Sequence, residues 1–146
     1  MSGRFKGKVA VVTGVGRGVG RAAALILASE GAAVLANDNP KYHREVGEIQ
    51  QSSDEVIAMI TSTGGQGVTD HEDVSTPEGA EALVARAVDE LGGLDIIINN
   101  AGLRIDSPFL DMTPDEFEGV VEANVTTSFM LIRFAAVQFR QQRSGN

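Results

Sequence analysis

Short apolar runs alternate with helix-period segments from the start of the chain. Val9-Ala10-Val11-Val12 lies between Lys8 and Thr13-Gly14, the pattern of a strand buried on both faces. Gly14 to Gly20 is a glycine-rich turn. Arg21 to Glu30 is rich in alanine and leucine and reads as a helix, with Gly31 as its stop. Ala32 to Asn37 reads as a second strand ending at Asp38, and Asn39 to Gln51, polar and carrying Pro40, as a long loop. Ser52 and Glu55 form a capping-box pair, and Val56, Ile57 and Ile60 give the next helix an apolar face up to Gly64-Gly65. A weak third strand is expected around Gly67 to His71. Thr76-Pro77 then opens a helix whose apolar positions (Ala80, Leu83, Val84, Ala87, Val88, Leu91) recur at helical spacing until Gly92-Gly93. Leu94 to Asn99 is a fourth strand, and Ala101 to Met112 a loop. Thr113-Pro114-Asp115-Glu116 opens a long helix running through Phe117, Val120, Val121, Val125, Phe129, Ile132 and Phe139.

Strands separated by helices pair in parallel through right-handed crossovers. The expectation is therefore a single α/β domain over 1–146: a doubly wound parallel sheet, the Rossmann architecture, limited to its first four strands and their helices. In the order 3-2-1-4, strand four is an apolar edge, a pairing hazard.

Composition narrows the function. The formal charge is −8, from 12 Lys+Arg against 20 Asp+Glu, which argues against nucleic-acid or anionic-membrane binding. There is no cysteine, hence no thiolate chemistry and no disulfide. No apolar h-region follows the polar, basic first residues, and no uninterrupted apolar run approaches the ~20 residues of a membrane span. A cytoplasmic protein with no membrane partner is expected.

The chemistry concentrates at strand ends. Thr13-Gly14-Val15-Gly16-Arg17-Gly18-Val19-Gly20 sits between a strand and a helix, where glycines let backbone N–H groups approach a pyrophosphate. The spacing is T-G-x-x-x-G-x-G rather than G-x-G-x-x-G. Asp38 ends the second strand, where a carboxylate accepts ribose hydroxyls and repels a 2′-phosphate, favouring NAD. Arg17 pulls toward NADP, because a guanidinium in the turn can hold that phosphate. The Asp38 carboxylate is placed closer to the ribose, so NAD is the expected cofactor and NADP the less favoured one. His43 and His71 are the only histidines. The acidic residues beside His71 read as a solvated strand-end cluster, and no metal site is expected.

These residues resemble the classical short-chain dehydrogenase/reductase family. Thr13-Gly14-x3-Gly18-x-Gly20 looks like its cofactor motif, Asp73-Val74 like its adenine-contacting pair, and Asn99-Asn100-Ala101-Gly102 is identical to its signature after strand four. Asn124 looks like its active-site helix asparagine. More loosely, Val34 to Asp38 and the polar insert after it are similar to the hydroxyacyl-CoA/17β-hydroxysteroid dehydrogenases of multifunctional enzymes. The resemblance implies an oxidoreductase moving hydride between nicotinamide and a small alcohol or ketone. It implies that Asn100, Ala101 and Gly102 lie along the cofactor and that the last helix packs on a second subunit, giving a homo-oligomer. Asp73 is open to two readings, adenine acceptor or turn cap. Asn124 is likewise open. It falls on the stripe of Phe117, Val120 and Val121, as a catalytic-site asparagine holding a water or as a satisfied core amide. The val-thr-thr-ser run at 125–128 weakens the helix there.

The family's Tyr-x-x-x-Lys pair is absent. The one tyrosine is Tyr42, and the lysines are Lys6, Lys8 and Lys41. An acid/base for the hydroxyl proton is therefore missing. The chain reads as a cofactor-binding half that stops before a fifth strand. The alternatives are a non-catalytic nucleotide-binding module, half of a split enzyme, or an unrelated doubly wound enzyme such as a methyltransferase, against which the Asn-Asn-Ala-Gly signature argues.

Overall fold

A computed structural model describes residues 3–39 and 52–146. The loop expected at Asn39 to Gln51, with Tyr42 and His43, lies outside the described residues apart from Asn39. The elements are β1 (Val9–Thr13), α1 (Gly18–Ser29), β2 (Ala33–Asn37), α2 (Ser53–Ser62), β3 (Gly67–Asp70), α3 (Pro77–Leu91), β4 (Ile96–Ile98), α4 (Pro114–Val121), a π-helical turn (Glu122–Thr126) and α5 (Thr127–Gln142). The sheet order is β3-β2-β1-β4, all parallel.

Alternate residues of the central strands feed two cores. Val9, Val11 and Leu35 pack with Leu83, Val84 and Ala87 of α3 and with Leu131 and Ala135 of α5. Ala10, Val12, Val34 and Ala36 pack on the other face with Ala24 and Leu27 of α1 and Val56 and Ile60 of α2. β1 is buried at all five positions, as a strand covered on both faces must be.

Local rules set the helix ends. Ser52 and Thr113 each accept the N–H three residues on, while Glu55 and Glu116 reach back to complete capping boxes. Thr76 caps α3, with Pro77 at its first position. Gly92, at φ 86°, ends α3 in the left-handed region.

Three expectations change. β4 is three residues rather than six. Leu94 turns into the core, and the Asp95 carboxylate accepts from Lys8 Nζ (2.8 Å) and the Val9 N–H (2.9 Å) while its own N–H donates to the Val9 carbonyl (2.8 Å). The β4 edge is partly covered, because Asn146 donates to the Asp95 carbonyl (2.8 Å) and accepts from the Ile97 N–H (3.0 Å). The third concerns the final helix. By length and composition alone, the 29-residue helical stretch Pro114–Gln142 is apolar enough to cross a membrane, with an 18-residue window of mean hydropathy 1.4. Polar and charged residues interrupt it, so it holds no unbroken apolar run. In this fold the stretch flanks the sheet, burying Thr127, Leu131 and Ala135.

Candidate functional site

All four strands end on the same side of the sheet, and the loops that follow them enclose a cleft of about 290 Å³. The glycine turn supplies Gly14, Gly16, Arg17, Gly18 and Val19. The end of β2 supplies Asn37, Asp38 and Asn39. Val74 and Ser75 come from the loop after β3, Asn100, Ala101 and Gly102 from the loop after β4, and Ala123 and Thr127 from the last helix. Ten of the sequence-expected cofactor residues thus share one cleft, while Thr13, Gly20 and Asp73 stand behind its lining.

Thr13 and Gly20 shape the wall from behind. Thr13 is fully buried, and its hydroxyl oxygen accepts from the N–H groups of Asn100 (3.1 Å) and Ala101 (3.0 Å). Asn100 Nδ2 in turn donates to the carbonyls of Thr13 and Gly14, each at 3.1 Å. The loop after β4 is therefore stitched to the glycine turn. Gly14 adopts φ 67°, and a Cβ at Gly20 would meet the Gly14 carbonyl and Asn100 Nδ2. Only glycine allows that approach.

The first turn of α1 carries no side-chain cap and no acidic residue. Its N–H groups and partial positive charge face the cleft, the arrangement that holds a phosphate anion. Asp38 is 8% exposed and lies just past β2, with its N–H donating to the Asp70 carbonyl (3.1 Å). Val19, by contrast, is 73% exposed at the cleft rim. These features fit a dinucleotide: a carboxylate for the ribose, a glycine turn at a helix N-terminus for the pyrophosphate, and backbone at Ala101-Gly102 beyond.

Two of the site residues make local contacts that spacing does not show. Asp73 Oδ1 accepts from the Ser75 N–H (3.1 Å) and hydroxyl (2.6 Å), so that carboxylate oxygen closes a turn. Asn124 does not lie on a buried stripe: it is exposed, as are Phe117 and Val125. The whole stripe is at most half-buried, Phe117 ahead of the π-helical turn included, so Asn124 keeps its place beside Val120 on a face that this chain does not cover. Its Nδ2 donates to the carbonyls of Leu103 and Val120, each 2.8 Å, tying the loop after β4 to the helix. Gly102 has a reason beyond cofactor access, since a Cβ there would collide with Asn124 Oδ1. The Asn124 carbonyl accepts from the Ser128 hydroxyl (2.5 Å), which accepts from Asn99 Nδ2 (2.7 Å).

His71 Nδ1 lies 3.1 Å from the Asp38 carbonyl and 3.2 Å from Ser53 Oγ, and Nε2 is 3.4 Å from Asp54. It bridges β3 to the start of α2. Among the described residues, no group of three or more acidic, histidine or cysteine side chains is placed to hold a metal. The pattern reading did not single out Asn37, Asn39, Ser75, Ala123 or Thr127 as cleft residues. Asn37 carried the one usable signal, a polar residue closing an otherwise apolar strand.

A parallel sheet of this order, with a glycine turn opening its first helix and an acid after its second strand, defines a doubly wound nucleotide-binding domain. The family model for short chain dehydrogenase matches residues 8–146, and the chain belongs to that family. It is 40% identical over 138 residues to a hydroxyacyl-CoA dehydrogenase of Mycobacterium tuberculosis, covering 94% of this chain and 42% of that protein. It is 34% identical over 142 residues to the peroxisomal multifunctional enzyme type 2 of Mus musculus, covering 97% and 19%. Among solved structures it superposes on a 7α-hydroxysteroid dehydrogenase complexed with NADH and 7-oxo glycochenodeoxycholic acid. There the TM-score is 0.84 at 31% identity, covering 97% of this chain and 52% of that one. The chain thus spans about half or less of the length of these relatives.

Proposed function

We propose that this chain binds NAD and forms the cofactor half of an oxidoreductase acting on a small-molecule alcohol or ketone. The observation that carries the reading is Asp38, nearly buried at the end of β2 and lining the same cleft as the glycine turn. Its carboxylate accepts the adenosine ribose hydroxyls and repels a 2′-phosphate. Gly14 to Gly18 and the first turn of α1 hold the pyrophosphate. Ala101 and Gly102, fixed through Thr13, back the nicotinamide end beside Thr127 and Ala123. When bound, the cofactor supplies or accepts hydride. The relatives named for hydroxyacyl-CoA and hydroxysteroid substrates support an acyl or steroid-like alcohol as the substrate class. The proton-transfer pair is not among the chain's residues, so Asn124 acts here through the loop it holds at Leu103.

A second reading, NADP binding, is favoured by Arg17, which lines the same cleft. Titration with NADH and NADPH, read by the fluorescence of the reduced nucleotide, separates them. NADH is expected to bind at least tenfold more tightly, and Asp38→Ala to narrow the ratio. A preference for NADPH, or a ratio unchanged by Asp38→Ala, refutes the assignment. Binding of a methyl donor without either nucleotide refutes the oxidoreductase reading altogether.

A further inference from the structure

Behind the adenosine end of the cleft sits a charged group that the nucleotide reading does not use. The Asp70 side chain is fully buried, at 0% exposure. A buried carboxylate persists only when its oxygens are matched by donors. Three donors meet it, each from a different segment. Asn37 Nδ2 lies at 2.7 Å from the end of β2, the Glu72 N–H at 2.9 Å from the loop after β3, and Arg86 NH1 at 2.7 Å from α3. Asn37 Nδ2 also donates to the Glu72 carbonyl (3.0 Å), so strand end and loop are tied twice.

The segments tied this way are the ones that continue into the cleft. Asn37 runs directly into Asp38 and Asn39, and Glu72 runs through Asp73 into Val74 and Ser75. Those residues form the two sides of the cleft's adenosine end. Arg86 also pairs with Glu90 at 2.8 Å. That bond raises its pKa most, and Asp70 adds to the rise against partial burial. The guanidinium stays charged and offers two carboxylates a planar fork, which lysine lacks.

We propose that Asp70 and Arg86 are positioning residues that set the spacing of the adenosine end of the cleft, and through it the affinity for the adenosine half of the nucleotide. The proposal rests on the nucleotide reading above. A pair that only stabilised the fold would not select one end of the ligand. This pair reaches the ligand through Asn37 and Glu72, and so it acts on adenosine recognition first.

The test uses the 146-residue chain, its Arg86→Met, Arg86→Lys and Arg86→Met/Asp70→Asn variants, and two probes. NADH is followed by its own fluorescence, undisturbed because the chain has no tryptophan. AMP, the adenosine half alone, is measured by competition. Folding of each variant is checked by circular dichroism at the same temperature. Arg86→Met is expected to weaken AMP and NADH by the same factor, about tenfold, the equivalent of roughly 1.4 kcal/mol. Arg86→Lys, which keeps the charge but not the fork, is expected to recover only part of that loss. In the double variant no unpaired charge is buried, but nothing ties α3 to the end of β2, so AMP and NADH binding is expected to stay at least threefold weaker than the parent's. AMP binding unchanged in folded Arg86→Met overturns the proposal, as does weakening of NADH without AMP. If Arg86→Met does not fold, the double variant decides: AMP binding at least threefold weaker than the parent's supports the proposal, and binding within threefold overturns it. A parent chain that binds NADH but is indifferent to Arg86 refutes the positioning role alone. A parent chain that binds neither probe refutes the nucleotide reading and the proposal with it.

Discussion

Replacing Thr13 by valine removes one oxygen and keeps the β-branched shape. That oxygen accepts two backbone N–H groups, those of Asn100 and Ala101, from a fully buried position. Leaving a buried donor unmatched costs about 1–3 kcal/mol. Asn100 is exposed and its N–H can turn to water, whereas Ala101 is half-buried. The sum is therefore near the cost of one fully stranded donor plus a fraction of the other, about 2 kcal/mol. For a chain of this size that is a fall in Tm of roughly 4–8 °C. Thr13→Ser keeps the oxygen and gives up one methyl, about 0.8 kcal/mol. The expected order of melting, followed by circular dichroism, is parent, then Thr13→Ser, then Thr13→Val. NADH affinity should fall more in Thr13→Val than in Thr13→Ser, because the freed Ala101-Gly102 backbone no longer backs the cleft. A Thr13→Val protein that melts at or above Thr13→Ser would refute the reasoning: the hydroxyl would then carry no part of the tie between β1 and the loop after β4.

Gly20→Ala places a Cβ against the Gly14 carbonyl, backbone that cannot step aside. It is expected to lower Tm by several degrees and to abolish nucleotide binding, both read in the same thermal-shift titration. The Asp95 carboxyl feels burial pushing its pKa up, but the Lys8 ammonium and the Val9 N–H outweigh this and hold it below the usual value. Its contribution to stability is therefore complete above the unfolded pKa of about 4 and is lost as pH falls through the lowered native pKa. Asp95→Asn is expected to destabilise the chain at pH 7 and to show less acid sensitivity. An Asp95→Asn denaturation midpoint that tracks the parent's from pH 7 to pH 2 would contradict that assignment. Ser128→Ala removes the donor to the Asn124 carbonyl, and the π-helical turn is expected to relax. The readout is faster amide hydrogen exchange confined to residues 122–128, and exchange unchanged there would count against the role given to the hydroxyl.

The parts of the fold legible in the sequence were those governed by neighbours in the chain. The capping pairs Ser52/Glu55 and Thr113/Glu116 and the Thr76-Pro77 start each act over three or four residues. The alternation of Val9 to Val12 between two cores follows from the strand period alone. The glycine turn and Asp38 could be placed because a strand and a helix fix where they emerge. What escaped was set by distance or by a face left uncovered. The Asp95 carboxylate meets Lys8 and Val9, partners more than eighty residues earlier that no local pattern announces. Asn124 is exposed because the apolar stripe it belongs to, Phe117 included, is not covered by the rest of the chain, and no composition rule announces the π-helical turn that holds it. The val-thr-thr-ser run marked the neighbourhood only.

The same distinction bears on how the cleft works. The residues expected to touch a nucleotide sit on loops, and loops are held by what lies beneath them. Here that support is polar rather than apolar: the Thr13 hydroxyl under Asn100 and Ala101, the Asn124 amide under Leu103, and the Asp70 carboxylate under Asn37 and Glu72. Each fixes backbone from one segment relative to another with two or three directed bonds. Apolar packing would hold the same segments less exactly in orientation, because dispersion and burial are not directional. A cleft that reads a ribose on one side and must place backbone along the ligand on the other needs that orientation. Substitutions at these three supports should accordingly change ligand affinity out of proportion to their effect on Tm, whereas substitutions of equal cost in the cores, such as Leu83→Ala, should change Tm and leave the affinity of the folded fraction intact. Equal ratios of affinity loss to stability loss in the two groups would mean that the polar supports are only part of the general packing.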